Sequence, residues 1–173
     1  MMKTIAVFGD EQKNEFLLNV TRILTLLDVR FKFVTEESRS TVKHFDYIIL
    51  LNDASLSKAS LNCGYCFIDM DQNQGDSIEV YGNIVAFGFG GKNTVTISSV
   101  ENENGGFVYC LQRYININAF RMLEPQEIPI NVDFHKEQEL YSYMVCITIA
   151  LIEGLSNEEI EDKLTSRCYM KNL

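Results

Sequence analysis

The sequence predicts an α/β fold: a P-loop-like, mainly parallel sheet with an antiparallel extension, in a single domain over residues 1–173. Three observations carry this. Residues 3 to 35 read as strand, loop, helix, strand, the order of a parallel βαβ unit. Asp46-Tyr47-Ile48-Ile49-Leu50-Leu51 is a continuous apolar run bounded by Asn52-Asp53, as expected of a central parallel strand covered on both faces. Near residue 80 the apolar period changes from helical to alternating, which marks the start of an antiparallel portion.

Taken in order, Thr4-Ile5-Ala6-Val7-Phe8 is the first strand. Residues 11 to 28 place Phe16, Leu17, Val20, Ile23, Leu24 and Leu27 three and four apart, so they form a helix with one buried face. Arg30 to Val34 alternates as a second strand, and residues 35 to 44 are a polar connection. Ser55 to Leu61 is expected to be a short helix, and Tyr65-Cys66-Phe67-Ile68 a buried strand ending at Asp69 and Asp71. Residues 84 to 111 read as a meander of antiparallel strands with turns at Gly90-Gly91-Lys92-Asn93 and Asn102 to Gly106. Pro125 and Pro129 confine any strand around them to an edge or to short pieces. Glu137 to Glu153 is apolar nearly all round and shorter than the ~20 residues that cross a bilayer, so it is a core helix. Gly154 ends it, Ser156 with Glu159 forms a capping box for the next helix, and Ile160 and Leu164 give that helix its inner face.

Composition narrows the function. With 46% apolar and 23% charged residues the chain is globular rather than disordered. Its formal charge of −9 argues against nucleic acid or an anionic membrane surface as a partner. The strand pattern begins directly after Met-Met-Lys, without the apolar segment of a signal peptide, so the expected location is the cytoplasm. Cys63, Cys66, Cys110, Cys146 and Cys168 lie mostly in apolar runs, as reduced core thiols do. Cys63-Gly64-Tyr65-Cys66 has C-x-x-C spacing, but a structural zinc site needs a second pair, and beyond scattered cysteines the chain offers His44 and His135 alone. No metal site is expected.

The candidate ligand site is the loop Gly9-Asp10-Glu11-Gln12-Lys13-Asn14, which opens the first helix where backbone N–H groups and the helix dipole favour an anion. A phosphate cradle needs glycines, a lysine and a hydroxyl residue for Mg²⁺. Gly9 and Lys13 stand at the required separation, yet Gln12 occupies the second glycine's place and Asn14 that of the hydroxyl. Asp10 and Glu11 would face a triphosphate, and at ~4 Å with an effective dielectric near 20 each like-charge pair costs about 4 kcal/mol before screening. As helix-capping carboxylates they need no ligand. Asn52, Asp53, Asp69 and Asp71, at carboxyl ends of strands, complete the candidate set; Asn and Asp there are also ordinary turn formers.

The order of these pieces resembles the central ATP-binding domain of the Mur ligases, amide-forming enzymes of peptidoglycan precursor synthesis. Gly9 and Lys13 match the first glycine and the lysine of the family's Gly-Thr-x-Gly-Lys-Thr-Thr loop. Leu51-Asn52 resembles its strand ending in Thr-Asn, and Ile68-Asp69-Met70-Asp71 its Asn/Asp-rich turn. Phe87-Gly88-Phe89-Gly90 with Val95 to Val100 resembles its Thr-Phe-Gly turn and the following strand. Ile149-Ala150-Leu151 and Gly154 to Ile160 resemble the two helical segments at that domain's end. The loop lacks the second glycine and the Thr pair, residues 35 to 44 are too few for the family's metal-binding segment, and no His follows Asn52-Asp53. The resemblance covers the central domain without the N- and C-terminal ligase domains.

What this implies is a degenerate, non-catalytic domain: Gly9, Lys13, Asn52 and Asp71 as a vestigial nucleotide site, no cofactor, and action through a protein partner or self-association. The competing expectation is a nucleotide-binding enzyme or switch holding ATP with Mg²⁺, either accessory to a ligase or a partition-type P-loop ATPase. The partition type has no evident place for the strands of residues 84 to 111. For protein contact, Phe120 to Val132 is the expected surface, with Met122, Leu123, Ile128 and Ile130 spaced between prolines.

Overall fold

The computed structural model describes residues 1–9, 13–34, 44–51, 60–71, 78–101 and 105–168. The strands are β1 (Lys3–Phe8), β2 (Phe31–Phe33), β3 (Phe45–Leu50), β4 (Ser60–Asp69), β5 (Glu79–Phe87), β6 (Val95–Val100), β7 (Phe107–Leu111), β8 (Ile115–Asn118), β9 (Arg121–Leu123) and β10 (Gln126–Ile130). The helices are α1 (Lys13–Leu26), α2 (Glu137–Glu153) and α3 (Asn157–Cys168).

One eight-stranded sheet has the order β10-β7-β6-β5-β4-β3-β1-β2, and β8 and β9 form a separate hairpin. Strands β2, β1, β3, β4, β5 and β6 are parallel, while β7 and β10 run antiparallel to their neighbours. The fold is thus mixed α/β with a mostly parallel sheet and an antiparallel extension. β3 lies centrally between β1 and β4, as its unbroken apolar run requires.

The two faces of the sheet are filled differently. On one face Ile5, Val7, Tyr47, Ile49, Phe67, Val85, Phe87, Val95 and Tyr109 pack with the inner sides of α1, α2 and α3. On the other, Ala6, Phe8, Ile48, Leu50, Leu61, Cys63 and Cys66 form a second cluster. In α2, Leu140 and every residue from Ser142 to Ile152 are buried, which accounts for its lack of a polar side. Tyr109 and Thr148 satisfy each other's hydroxyls at 2.8 Å across that face.

Several boundaries differ from the sequence reading. The strand expected from Tyr65 begins at Ser60, and Leu61, expected in a helix, is a strand residue; Ser55 and the rest of 52–59 lie outside the described residues. Pairing of Ser60, Leu61 and Asn62 with Glu79, Val80 and Tyr81 overrides their local composition. The meander expected over 84–111 is antiparallel only from β6 onward. β5 is parallel to β4 throughout, and its last residue, Phe87, meets the first of β6, Val95. The glycine turn therefore shifts the chain sideways by one strand without reversing it: the Gly88 N–H reaches the Val95 carbonyl and the Thr94 N–H the Ala86 carbonyl. As a result β6, β7 and β10 extend past the carboxyl ends of the parallel strands.

Other expectations hold in detail. Gly154 adopts φ +102° with its N–H on the Leu151 carbonyl, Ser156 accepts the Glu159 N–H at 3.2 Å, and the Glu159 carboxylate returns to the Ser156 N–H at 2.8 Å. β10, with Pro129, is an edge strand. The Asp46 carboxylate is half-buried between strands β1 and β3, where burial pushes its pKa up. The N–H and hydroxyl of Thr4, with Lys3 and His44, outweigh this and leave it below the ordinary 3.8. A folded-state value below the unfolded one stabilises above pH 3.8 and is lost as pH falls through the lower value. Urea titrations from pH 6 to pH 2 are expected to show wild type losing more stability than Asp46→Asn in the acid limb. Ser156→Ala should cost ~1 kcal/mol by the same measurement at neutral pH.

Candidate functional site

In an open α/β sheet a ligand binds outside the carboxyl ends of the strands, where the strand order reverses. Here the order reverses between β1 and β3, since β2 follows β1 on one side and β3 lies on the other. Gly9, directly after β1, and Leu51, directly after β3, frame that point. Gly9 has φ +156°, and a Cβ added to it would lie 2.8 Å from the Leu51 Cβ. Leu51 also donates its N–H to the Phe8 carbonyl at 2.9 Å. The leucine side chain therefore sits directly against the glycine, and the two chain ends close upon each other.

Lys13 is the first residue of α1 and half-buried. Asn52, Asp53, Asp10, Glu11 and Gln12 lie outside the described residues. Asp71 follows β4, which is two strands from β1; at 4.7–4.9 Å per strand the two ends are separated by roughly 10 Å. Gly9, Lys13 and Asp71 thus share one edge of the sheet.

Asp71 is held by its own chain. Its Oδ2 accepts the Phe89 N–H at 2.8 Å and the Tyr141 hydroxyl at 2.9 Å. Its own N–H donates to Asp69 Oδ1 at 3.0 Å. A Cβ on Gly88, at φ +142°, would fall 2.7 Å from Oδ2 and 2.8 Å from Oδ1, so the carboxylate lies flat against that glycine. Gly88 is needed here because any side chain would displace the aspartate. Phe89 and Tyr141 meet edge to face, with ring centroids 5.2 Å apart.

The electrostatics of this edge are negative. Burial first, then the hydrogen bond to Asp71 and the charges of Asp71, Asp69 and Glu137, push the Tyr141 phenol well above its ordinary value. Nearby, Lys136 is engaged by Glu15 at 2.7 Å, and Arg22 by Glu139 at 3.3 Å. Among the described residues no group of three or more His, Cys, Asp and Glu side chains could hold a metal ion.

No family model matches the chain, and no curated protein matches its sequence. Among solved structures it is similar to MurF from Acinetobacter baumannii, with 14% identity and a TM-score of 0.47. The match covers 94% of this chain and 45% of that one, so the chain spans less than half of the MurF length. At this level the likeness concerns the course of the backbone, and MurF's chemistry does not transfer with it.

The sequence pattern does not reveal Tyr141 as the partner of Asp71: the two are 70 positions apart, and a tyrosine in an apolar helix reads as core. A second polar cluster at the amino ends of the strands is equally hidden. There the Tyr47 hydroxyl donates to Glu153, which also pairs with Lys3 at 3.1 Å, and Lys3 lies 3.9 Å from Asp46. Lys3 and Glu153 close a link between the first strand and the end of α2. Nothing in the spacing of residues 3, 46, 47 and 153 announces it.

Tyr141→Phe removes one donor from Asp71 and leaves the Phe89 N–H in place. We expect a loss of ~1 kcal/mol in chemical denaturation with an unchanged far-ultraviolet dichroism spectrum. Gly88→Ala should cost more, since both its positive φ and the aspartate oppose a methyl group. Equal stability of Gly88→Ala and wild type would contradict the packing described.

Proposed function

We propose that the chain is a non-catalytic, Mur-ligase-like domain that acts by protein binding or assembly in the cytoplasm, linked to cell-wall precursor synthesis. The observation that carries this reading is the state of the carboxyl edge. The glycine of the degenerate loop packs on Leu51, and the aspartate that would serve a nucleotide's metal is bonded to Phe89 and Tyr141. Asp69 and Glu137 add negative charge beside it. A triphosphate would have to displace chain contacts and approach carboxylates. Gly9, Lys13, Asn52 and Asp71 are on this reading the remnant of a nucleotide site, without ATP or Mg²⁺ as a cofactor.

Contact with a protein partner or a second copy finds support in the hairpin region. Phe120 is wholly exposed, and Tyr114 and Met122 are more than half exposed. Of the four apolar residues expected to form a contact surface, Leu123, Ile128 and Ile130 are buried, so that surface is corrected to Met122 with the neighbouring aromatic residues. Leu123 pairs with Ile115 under the hairpin, and Ile128 and Ile130 face the helices from β10.

Calorimetric titration of millimolar ATP with Mg²⁺ into the full chain tests the first half of the proposal. No saturable heat is expected, and Lys13→Ala should leave thermal stability within ~0.5 kcal/mol of wild type. Saturable binding abolished by Lys13→Ala would favour a nucleotide enzyme or switch instead. Light scattering tests the second half. Association weakened by Phe120→Ser with Met122→Ser is expected, whereas a strict monomer that captures no precursor-synthesis protein would remove it.

A further inference from the structure

Cys63 and Cys66 both lie in β4, and in a regular strand residues three apart point to opposite faces. Here they do not. The pairing of β4 with β5 shifts register between Asn62 and Tyr65, so β4 carries one extra residue at this place, a β-bulge. Its partner pairing with β3 continues without a shift, Phe45 opposite Cys63 and Tyr47 opposite Tyr65. The bulge turns both cysteines into the same apolar cluster, while Tyr65 between them packs on the helix-covered face. The two thiols are close enough to shift each other's ionisation.

Two glycines make the arrangement possible. A Cβ on Gly64 would come within 2.9 Å of the Asp46 carbonyl oxygen, so the bulge packs tightly on β3. A Cβ on Gly82 would lie 2.2 Å from the Cys63 carbonyl oxygen and 3.1 Å from its sulfur. Gly82 is itself exposed, whereas Cys63 is only 3% exposed and Cys66 not at all. On the β5 side, the Cys63 sulfur therefore lies behind a surface residue that has no side chain. With Cys63 and Cys66 this closely covered, an oxidant that reaches the pair has to be small.

We propose that Cys63 and Cys66 are a two-electron thiol redox site whose oxidant is a small hydroperoxide, with Cys63 attacking and Cys66 resolving. The Cys63 thiolate displaces hydroxide from hydrogen peroxide and becomes a sulfenic acid. The Cys66 sulfur then attacks the Cys63 sulfur, and water leaves with the Cys66 proton. In sum, two thiols and one peroxide give one disulfide and two waters. The asymmetry of the pair agrees with these roles. Interaction with Cys66 holds the Cys63 thiol below its ordinary value against the effect of burial, and interaction with Cys63 together with burial pushes Cys66 up. Thiolate character decides which sulfur attacks first. The two cysteines are buried and free, as core thiols are, and the proposal adds a redox use to that placement.

Cys110 is an internal control. It is more exposed than either, but burial and the neighbouring Glu127 raise its thiol pKa, and among the described residues no cysteine partner accompanies it. The test treats the native full chain with hydrogen peroxide, blocks remaining thiols with N-ethylmaleimide in denaturant, and analyses the tryptic peptide of residues 59–92, in which Cys63 and Cys66 are the only cysteines. The expected product is that peptide two hydrogens lighter and unlabelled, restored by dithiothreitol, at a rate about tenfold or more above oxidation of Cys110. Oxidation of Met70 in the same peptide adds oxygen and is thereby distinguished. In Cys66→Ser, dimedone should trap a sulfenic acid on Cys63; in Cys63→Ser, Cys66 should remain labelled by maleimide. If both cysteines of wild type stay labelled while Cys110 is oxidised, or if Cys66 is trapped as readily as Cys63, the proposal falls. Should either variant fail to fold, the comparison with Cys110 in wild type decides alone.

Discussion

The structure depends on α2 being fastened at both ends while its whole middle is buried. Burial of a large aliphatic side chain contributes ~1.5–3 kcal/mol, and α2 provides a run of them from Met144 to Ile152. That run sets how strongly the helix adheres to the sheet, but not where along the strands it stops, because apolar packing is non-directional. The end contacts set the position. At the carboxyl edge the Tyr141 hydroxyl reaches Asp71, and Glu139 accepts the N–H groups of His135 and Lys136 and pairs with Arg22 of α1. At the amino edge Glu153 takes Tyr47 and Lys3. The helix runs against the direction of the parallel strands and ties their two ends together.

This fastening has a chemical consequence. In an open α/β sheet the carboxyl ends of the strands are the place for ligand chemistry, and there this chain uses its aspartate as a structural acceptor. Through Oδ2 the Asp71 carboxylate takes both the Phe89 N–H and the Tyr141 hydroxyl, and so joins the turn after β5 to the start of α2. Gly88 reinforces the commitment: it keeps a flat surface for Asp71, where in a nucleotide site glycines keep space for phosphate. Gly9 does the corresponding service for Leu51. The glycines at this edge accommodate the protein's own side chains.

What was legible in the sequence follows from the range of the interaction involved. α2 was readable because its apolar run is long, and its end because Gly154, Ser156 and Glu159 act within one turn of each other. Pro129 announced an edge strand because a proline removes a ladder donor wherever it sits. The amino half of β4 was not readable, since Ser60, Leu61 and Asn62 become strand only by pairing with β5 nearly twenty residues on. The direction of β5 was hidden for a similar reason: a glycine-rich turn fits a hairpin, and only the meeting of Phe87 with Val95 reveals a sideways step. Of the candidate site, Gly9, Lys13 and Asp71 were found at one edge, while the contacts that occupy Gly9 and Asp71 come from Leu51, Phe89 and Tyr141, distant in sequence.

The bulge in β4 shows how one added residue changes which side chains share a face of the sheet. With regular alternation Cys63 and Cys66 would be separated by the thickness of the sheet, and C-x-x-C would carry no meaning. With one extra residue between Asn62 and Tyr65 the period breaks once, the register to β3 is preserved, and Cys63 and Cys66 join the same cluster. The same break leaves Tyr65 facing the helices, where it stacks on Tyr47 with ring centroids 5.8 Å apart and donates its hydroxyl to the Asn116 carbonyl beneath the hairpin. Tyr47 in turn bonds Glu153 at the end of α2. The strand segment that brings the cysteines together is therefore joined, through two stacked tyrosines, to the amino-edge fastening of the buried helix.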